Sequence, residues 1–457
     1  MDAATQIGGQ QEAARINIPG RLERLPMTGY QRRIFAVIAT AWLVDQIDVA
    51  LLTFLLASIT LEFGLTPVQI GFLASMTFLG QLVGNILAGS SSDLLGRRWT
   101  FQVTMLVWGV ASILAAFSWS VGALMFFRFL IGVGVGGEAP VAQAMVSEFV
   151  PAESRAKYIA IMEGFWAVGF VLSGAISYYV LPLAGWRWVF VIVGLLAVFV
   201  FVVRRNIPES PRWLADRRRY AEADAVMRDM EKSVEARVGR ALPDPKPYRF
   251  AAVHHSNPFI TIFQGIYLKR TIMAFSLWFF ALLGYFGLNS WIAVLLSQQG
   301  FSITKSVGFV TLITTGGIPG FIAASILLEK IGRKPTTGIF LIMSAVMAYI
   351  YGHSVDTTSL FVSGFVMQFF TFGMWSCLYA YTPELYPTSA RSTGAGCASA
   401  AGRIGAISGP IIVGYIVQNV GQVGVFTLGA ASFAVAAILV LALGVETRGK
   451  ILEDISS

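Results

Sequence analysis

Gly80-Gln81-Leu82-Val83-Gly84, followed by Asp93-Leu94-Leu95-Gly96-Arg97-Arg98, occurs twice in this chain. It returns as Gly316 through Gly320 and Glu329-Lys330-Ile331-Gly332-Arg333-Lys334, an offset of 236 residues. The same offset carries Glu148, Pro151 and Arg155 onto Glu384, Pro387 and Arg391, and Trp42 onto Trp278. Glu209-Ser210 and Glu446-Thr447 match with a slip of one residue. One register serving separate segments points to a duplicated unit.

Each copy has the same apolar architecture. A helix needs about 20 apolar residues to cross a bilayer, and twelve such stretches are present. They lie near 34–59, 68–89, 99–118, 122–147, 156–180 and 187–204, then 270–297, 303–328, 336–352, 358–382, 392–418 and 422–445. The expected fold is an all-α membrane protein of twelve transmembrane helices in two six-helix halves. Such parallel repeats build transporters that rock around a midplane site. The expected segments are an N-terminal tail (1–33), an N-terminal half (34–204), a central loop with short helices (205–269), a C-terminal half (270–445) and a C-terminal tail (446–457). Within the central loop, Tyr220, Met227 and Val234 share one side of a surface helix expected over 216–238.

Composition agrees. Hydrophobic residues make up 56% of the 457, charged residues only 13%, and mean hydropathy is +0.68. A globular protein carries about a quarter charged residues, so a soluble enzyme, a disordered scaffold and a nucleic-acid-binding domain are excluded. Cys377 and Cys397 lie in apolar stretches and supply neither a disulfide framework nor a metal site. No cofactor is expected. The first 33 residues are polar with five arginines, and no signal peptide is expected. With the N-terminus inside, 29 of the 33 lysines and arginines fall in inner loops and tails, against only Arg187 and Lys305 in outer loops. Both termini are therefore expected to be cytoplasmic.

Gly89-x-x-x-Asp93-x-x-Gly96-Arg97-Arg98 resembles the loop signature of the major facilitator superfamily; Leu94 stands where a basic residue is usual, and the second copy has Lys330 there. Pro208-Glu209-Ser210-Pro211-Arg212 and Tyr381-Thr382-Pro383-Glu384-Leu385-Tyr386-Pro387-Thr388 resemble its branch of sugar porters, organic-ion transporters and metabolite–proton symporters. Glu163-Gly164-Phe165-Trp166-Ala167-Val168-Gly169, after Gly137-Glu138-Ala139-Pro140-Val141, is similar to bacterial niacin transporters.

Charged side chains inside a bilayer are costly and usually functional. The spans hold Asp45, Asp48, Arg128, Glu138, Glu163 and Arg403, and no histidine. Any proton carrier is therefore a carboxylate. Asp45 and Asp48 share one side of the first helix. Asp48 lies roughly 16 Å and Arg128 roughly 10 Å from the outer ends of their helices, which a guanidinium stem can bridge. An unpaired buried aspartate is driven neutral and a paired one is held ionised, so the pair can act as a proton switch or as a static tie. Asp45, Glu138 and Glu163 fall at similar depth and would repel one another if all were ionised. Glu138 could equally steady the glycine-rich helix near Pro140.

Arg403, in Ala401-Gly402-Arg403-Ile404-Gly405, resembles the arginine that serves anionic substrates in organic-anion transporters. A planar guanidinium binds a carboxylate bidentately. Glu163, Trp166, Trp278, Tyr285, Asn289, Gln368, Trp375 and Tyr379 are the further candidate substrate contacts, although membrane aromatics are more often packing or belt residues. Asp93, Arg97, Arg98, Glu148, Arg155, Glu209 and Arg212, with Glu329, Arg333, Glu384 and Arg391 in the second copy, are candidates for a cytoplasmic charge network that locks and releases. The resemblance implies a proton-coupled carrier of a small organic monocarboxylate, with a sugar–proton symporter and a cation or zwitterion carrier as alternatives. A non-transporting sensor is disfavoured by intact motifs in both copies. The expected partners are a small organic anion, protons and the bilayer of a bacterial inner membrane, with the chain acting as a monomer and no nucleic acid involved.

Overall fold

Threonine, serine and aspartate side chains start many of the long helices. Thr28 and Thr66 each make a capping box with the glutamine three residues on, and Ser120, Ser302 and Asp356 accept a backbone N–H of the first turn. Such caps satisfy amides that would otherwise be orphaned. The computed structural model describes residues 17–245, 258–387 and 390–448. Its helices are α1 (Ile18–Glu23), α2 (Gly29–Phe63), α3 (Pro67–Leu95), α4 (Arg97–Ala116), α5 (Val121–Phe149), α6 (Ala152–Leu196), α7 (Val200–Asn206), α8 (Pro211–Asp216) and α9 (Tyr220–Val238). The second half has α10 (Pro258–Ile262), α11 (Gly265–Asn289), α12 (Ile292–Gln298), α13 (Ile303–Thr314), α14 (Gly317–Lys330), α15 (Arg333–His353), α16 (Thr357–Glu384), α17 (Arg391–Asn419) and α18 (Gln422–Leu443).

Eleven helical stretches among the described residues are long and apolar enough to cross a membrane. One of them, Lys157–Val203, has 47 residues. At 1.5 Å per residue it runs about 70 Å, twice the hydrocarbon thickness. Gly185, at φ 79°, breaks it just after Pro182, so the fifth and sixth crossings turn there and the twelve expected spans are accounted for. The seventh and eighth expected spans are not single helices. They break at Ser290–Trp291 and Thr315–Gly316, and the indole of Trp291 donates to the carbonyl of Pro410 (3.2 Å).

The duplicated motif has one backbone form in both copies. Gly96 has φ 105° and Gly332 φ 108°, a conformation costly for any residue with a Cβ, and each makes the sharp corner between two long helices. Glycines let helix pairs pack closely: Gly132 meets the backbone of Thr77 and Gly80, and Gly405 and Gly409 meet that of Phe279 and Leu283.

With twelve crossings, both described chain ends and the central segment lie on one face, here the terminal face. The halves meet at the opposite, far face. A Cβ on Gly71 would lie 2.5 Å from the Pro410 oxygen, and one on Gly414 would lie 2.6 Å from the Pro67 oxygen. Further in, Ser75 Oγ donates to the Ile407 carbonyl at 2.6 Å. Gly308 lies under the ring of Tyr178 in a second seam between α13 and α6. The far face is closed. We expect Gly71→Leu to wedge α3 from α17 and move the population toward a far-face-open form. Spin labels at the far ends of α3 and α17 should report a longer mean distance; an unchanged distance would mean the seam is not tight.

On the terminal face, Ile18, Leu22 and Leu25 belong to the same buried cluster as Met227, Met230 and Val234 of α9. Arg21 reaches Asp224 (2.6 Å) and Glu231 (2.7 Å), and Arg24 reaches Glu231 (2.6 Å). Burial pushes the Glu231 carboxyl up, but the hydrogen bonds of Arg21 and Arg24 together outweigh it and hold the group below its ordinary value. A depressed carboxylate stabilises the folded form above its unfolded pKa, about 4.3 for glutamate, and loses that contribution as pH falls through the depressed value. Amide protection factors of residues 18–25, corrected for the intrinsic exchange rate, should therefore be high at neutral pH and fall in acid. Equal protection at both would show that apolar packing alone holds α1.

Candidate functional site

In the N-terminal half, α2 presents Asp48 to α4 and α5. Asp48 Oδ1 accepts from Arg128 Nη1 at 3.2 Å, and Oδ2 accepts from Ser112 Oγ at 2.8 Å. Arg128 Nε donates to Thr77 Oγ1 at 3.0 Å, and the guanidinium carbon sits 5.8 Å from the Phe190 ring centre. Asp48 is wholly buried and Arg128 almost so. The two charges compensate each other away from water, the condition a buried ion pair needs to persist.

One turn toward the terminal face, Asp45 lies beside Glu138 of α5. Both are fully buried, and none of the four carboxyl oxygens has a hydrogen-bond partner among the described residues. Trp108 of α4 borders the pair. Glu163 does not join them, contrary to the expectation of three carboxylates in mutual repulsion. It extends from α6 and accepts from Gln143 Nε2 at 2.9 Å, because the rotation of α6 turns it to the interface between the halves.

Arg403 of α17 is partly buried at mid-depth, with Glu163 and Tyr379 near it. Its Nη1 donates to Gln81 Oε1 of α3, so the guanidinium bridges the two halves. The candidate aromatics gather beside it. Trp375 stacks on Tyr379 (6.0 Å, 25°) and lies 5.4 Å from both Trp166 and Tyr285. Trp278 meets Tyr379 edge-on at 5.4 Å and donates to Thr382 Oγ1 at 2.8 Å. Trp166 Nε1 donates to the Tyr285 hydroxyl at 3.2 Å across the halves. Asn289 and Gln368 are placed differently from the expectation. Both are buried, and Gln368 Nε2 donates to Asn289 Oδ1 at 2.8 Å, so these amides satisfy each other. Sequence reasoning passed over Gln81 and Gln143; the available signal was an amide inside an apolar span.

The charged loop residues repeat as closely in space as in sequence. Arg97 pairs with Glu148 at 3.4 Å, and Glu209 accepts the backbone N–H of Arg97 (3.0 Å) and Arg98 (3.2 Å) at the start of α4. In the second copy Arg333 pairs with Glu384 (3.1 Å) and Glu329 (3.2 Å), while Glu446 accepts the N–H of Arg333 (3.0 Å) and Lys334 (3.1 Å). A carboxylate at a helix N-terminus is favoured by the exposed amides and the dipole. Burial raises the Glu446 carboxyl, but the N–H groups of Arg448, Arg333, Lys334 and Thr447 leave it below its ordinary value. These ties hold together the helices of one half. Arg155 (3.7 Å) and Arg212 (3.2 Å) converge on Glu23 of α1, and Arg212 also lies within electrostatic reach of Glu148. Arg391 begins α17, and the Asp93 side chain lies outside the described residues. Glu446 and Glu23 were not anticipated as members, although the one-residue slip from Glu209 marks the first.

The sequence profile described as Major Facilitator Superfamily matches residues 38–354 and 309–455. The chain belongs to the Major Facilitator Superfamily. A niacin transporter, NiaP, of Acinetobacter baylyi is 33% identical over 441 residues, covering 96% of this chain and 100% of that protein. An Escherichia coli inner membrane metabolite transport protein, YdjE, is 30% identical (96% and 98% covered), and the benzoate transport protein of Acinetobacter baylyi is 25% identical (88% and 87%). Among solved structures, a partially occluded inward-open form of the Escherichia coli xylose transporter XylE superposes with a TM-score of 0.74. It is 17% identical, with 93% of this chain and 100% of that one covered, a likeness of fold. This major facilitator is a multi-pass membrane transporter, and its two charge-tied ends are the paired loop motifs of its halves.

Proposed function

We propose that this transporter carries a small organic monocarboxylate, aromatic in its preferred form, together with protons across a bacterial cytoplasmic membrane by alternating access. The observation that carries the reading is Arg403, a mid-depth guanidinium beside Tyr379, on which Trp375 stacks and Trp278 packs edge-on. Such a wall stacks a flat ring while the fork takes its carboxylate. Its similarity to a niacin transporter and a benzoate transport protein favours nicotinate-like and benzoate-like acids. Coupling is assigned to Asp48–Arg128, with Asp45 and Glu138 as the neighbouring acids on the path toward the terminal face. With the lysine and arginine bias taken as the orientation, that face is cytoplasmic and the structure is closed toward the outside.

Glu163 beside Arg403 favours a second reading, a zwitterion whose cationic end it would meet. Proteoliposomes held with acid outside and a more alkaline interior, and given labelled nicotinate, benzoate, N-methylnicotinate, xylose or choline, separate the readings. Accumulation of the two acids alone supports the first. N-methylnicotinate outrunning both supports the second, and xylose or choline uptake without acid uptake overturns both.

A further inference from the structure

Arg128 has a side that the ion pair does not use. A guanidinium offers five N–H donors; here Nε goes to Thr77 and Nη1 to Asp48, while Nη2 donates to no group among the described residues. Arg128 also lines a small chamber between the halves, on the far side of the aromatic cluster, with Thr53, Thr77 and Ser290 and with Phe170 and Phe286 as its apolar wall. In this state it has room for about one water, because the seam of α3 and α17 closes over it. Separating that seam would open the chamber to the far face. It would then be a vestibule with one cation, three hydroxyls and two aromatic rings.

We propose that this chamber is a second carboxylate subsite, entered from the far face, at which a substrate carboxylate replaces Asp48 as the partner of Arg128 when Asp48 takes up a proton. It rests on the anion reading above and adds to it a place where the anion is first caught. The exchange balances in charge. A proton from far-side water neutralises Asp48, the ion pair loses its Coulomb attraction, and the incoming carboxylate restores one negative charge to Arg128. When the anion leaves for Arg403, Asp48 passes its proton to the neighbouring Asp45 and Glu138, toward the terminal face, and pairs with Arg128 again, so one proton accompanies one monocarboxylate and no net charge moves. The groups facing Asp48 are few. Arg128 of α5 is its cation; Ser112 of α4 donates to it; Asp45, with Glu138 beside it, is the next acid; α3 contributes Thr77 and α6 the Phe190 ring near Arg128. No second cation among these competes for the aspartate or for the anion.

Benzoate and nicotinate binding to the purified full chain, by calorimetry, tests this. Asp48→Asn imitates the protonated acid, so at alkaline pH it should bind benzoate about tenfold tighter than the parent, the equivalent of about 1.4 kcal/mol, and its affinity should not vary with pH. Adding Arg128→Gln, which leaves no unpaired charge, should remove that gain. Adding Arg403→Ala to Asp48→Asn should leave it in place. A second measurement isolates the subsite by removing the other site: in buffers of differing ionisation heat, Arg403→Ala should take up about one proton per benzoate bound at alkaline pH, and Arg403→Ala with Asp48→Asn none. A gain that survives Arg128→Gln, a gain that vanishes with Arg403→Ala, or equal proton uptake by Arg403→Ala with and without Asp48→Asn overturns the subsite. The anion reading fails separately, if Arg403→Ala alone binds benzoate as the parent does.

Discussion

Arg403→Ala should nearly eliminate uptake of the transported acid. The guanidinium reaches mid-depth from α17 and, among the described residues, donates to a single acceptor, Gln81 of α3, so most of its fork is open to a ligand. A charge-assisted hydrogen bond in such a site contributes on the order of 1.5–3 kcal/mol. Losing it weakens binding by one to two orders of magnitude, at about 1.4 kcal/mol per tenfold. Arg403→Lys should recover only part, since an ammonium has the charge without the bidentate geometry. Amides and esters of the acid should bind the parent poorly for the same reason. Calorimetry on protein with a parent-like melting curve is the measurement. If Arg403→Ala binds the acid as tightly as the parent, the anion reading fails and the sugar or cation alternative takes its place.

Asp48→Asn should uncouple transport from the pH gradient while leaving exchange measurable. With one proton per anion, each pH unit of gradient is worth about 1.36 kcal/mol and supports about tenfold accumulation. An asparagine cannot carry the proton, so accumulation should fall to equilibration while labelled substrate inside still exchanges for unlabelled substrate outside. The fold should tolerate the change, because Ser112 and Arg128 can still hydrogen-bond the amide oxygen, although Arg128 loses its counter-charge. Accumulation of substrate against its gradient by Asp48→Asn would remove the aspartate from the coupling. Loss of exchange as well would show that the anion does not pass unless the aspartate can re-form its ion pair with Arg128.

Local chemistry decided much of the fold before any contact was known. A twenty-residue apolar run has few stable fates other than a spanning helix, because the bilayer offers its backbone no water to bond. The offset from Asp93-Leu94-Leu95-Gly96-Arg97-Arg98 to Glu329-Lys330-Ile331-Gly332-Arg333-Lys334 therefore translated directly into two halves with equivalent glycine corners. Burial of Asp45, Asp48, Arg128 and Glu138 was equally legible, since a charge in the middle of such a run has nowhere else to go. The breaks at Ser290–Trp291 and Thr315–Gly316 were not, because a span interrupted within the same apolar run keeps its hydropathy.

Partner choice belonged to the tertiary structure. Helical spacing puts Asp45 and Asp48 on one side of α2, yet it cannot say that Asp48 meets Arg128 while Asp45 is left with Glu138. It suggested that Glu163 would share their depth, and the packing of α6 gave it Gln143 instead. It offered Asn289 and Gln368 to a substrate, and the structure bonded them to each other. Gln81 came to lie against Arg403 across 322 residues of chain. In each case a polar group without water must find a donor or acceptor, so the need for a partner is written in the sequence. Which partner it finds depends on how far each helix is rotated and which face its neighbour presents, and only the packed halves set those angles.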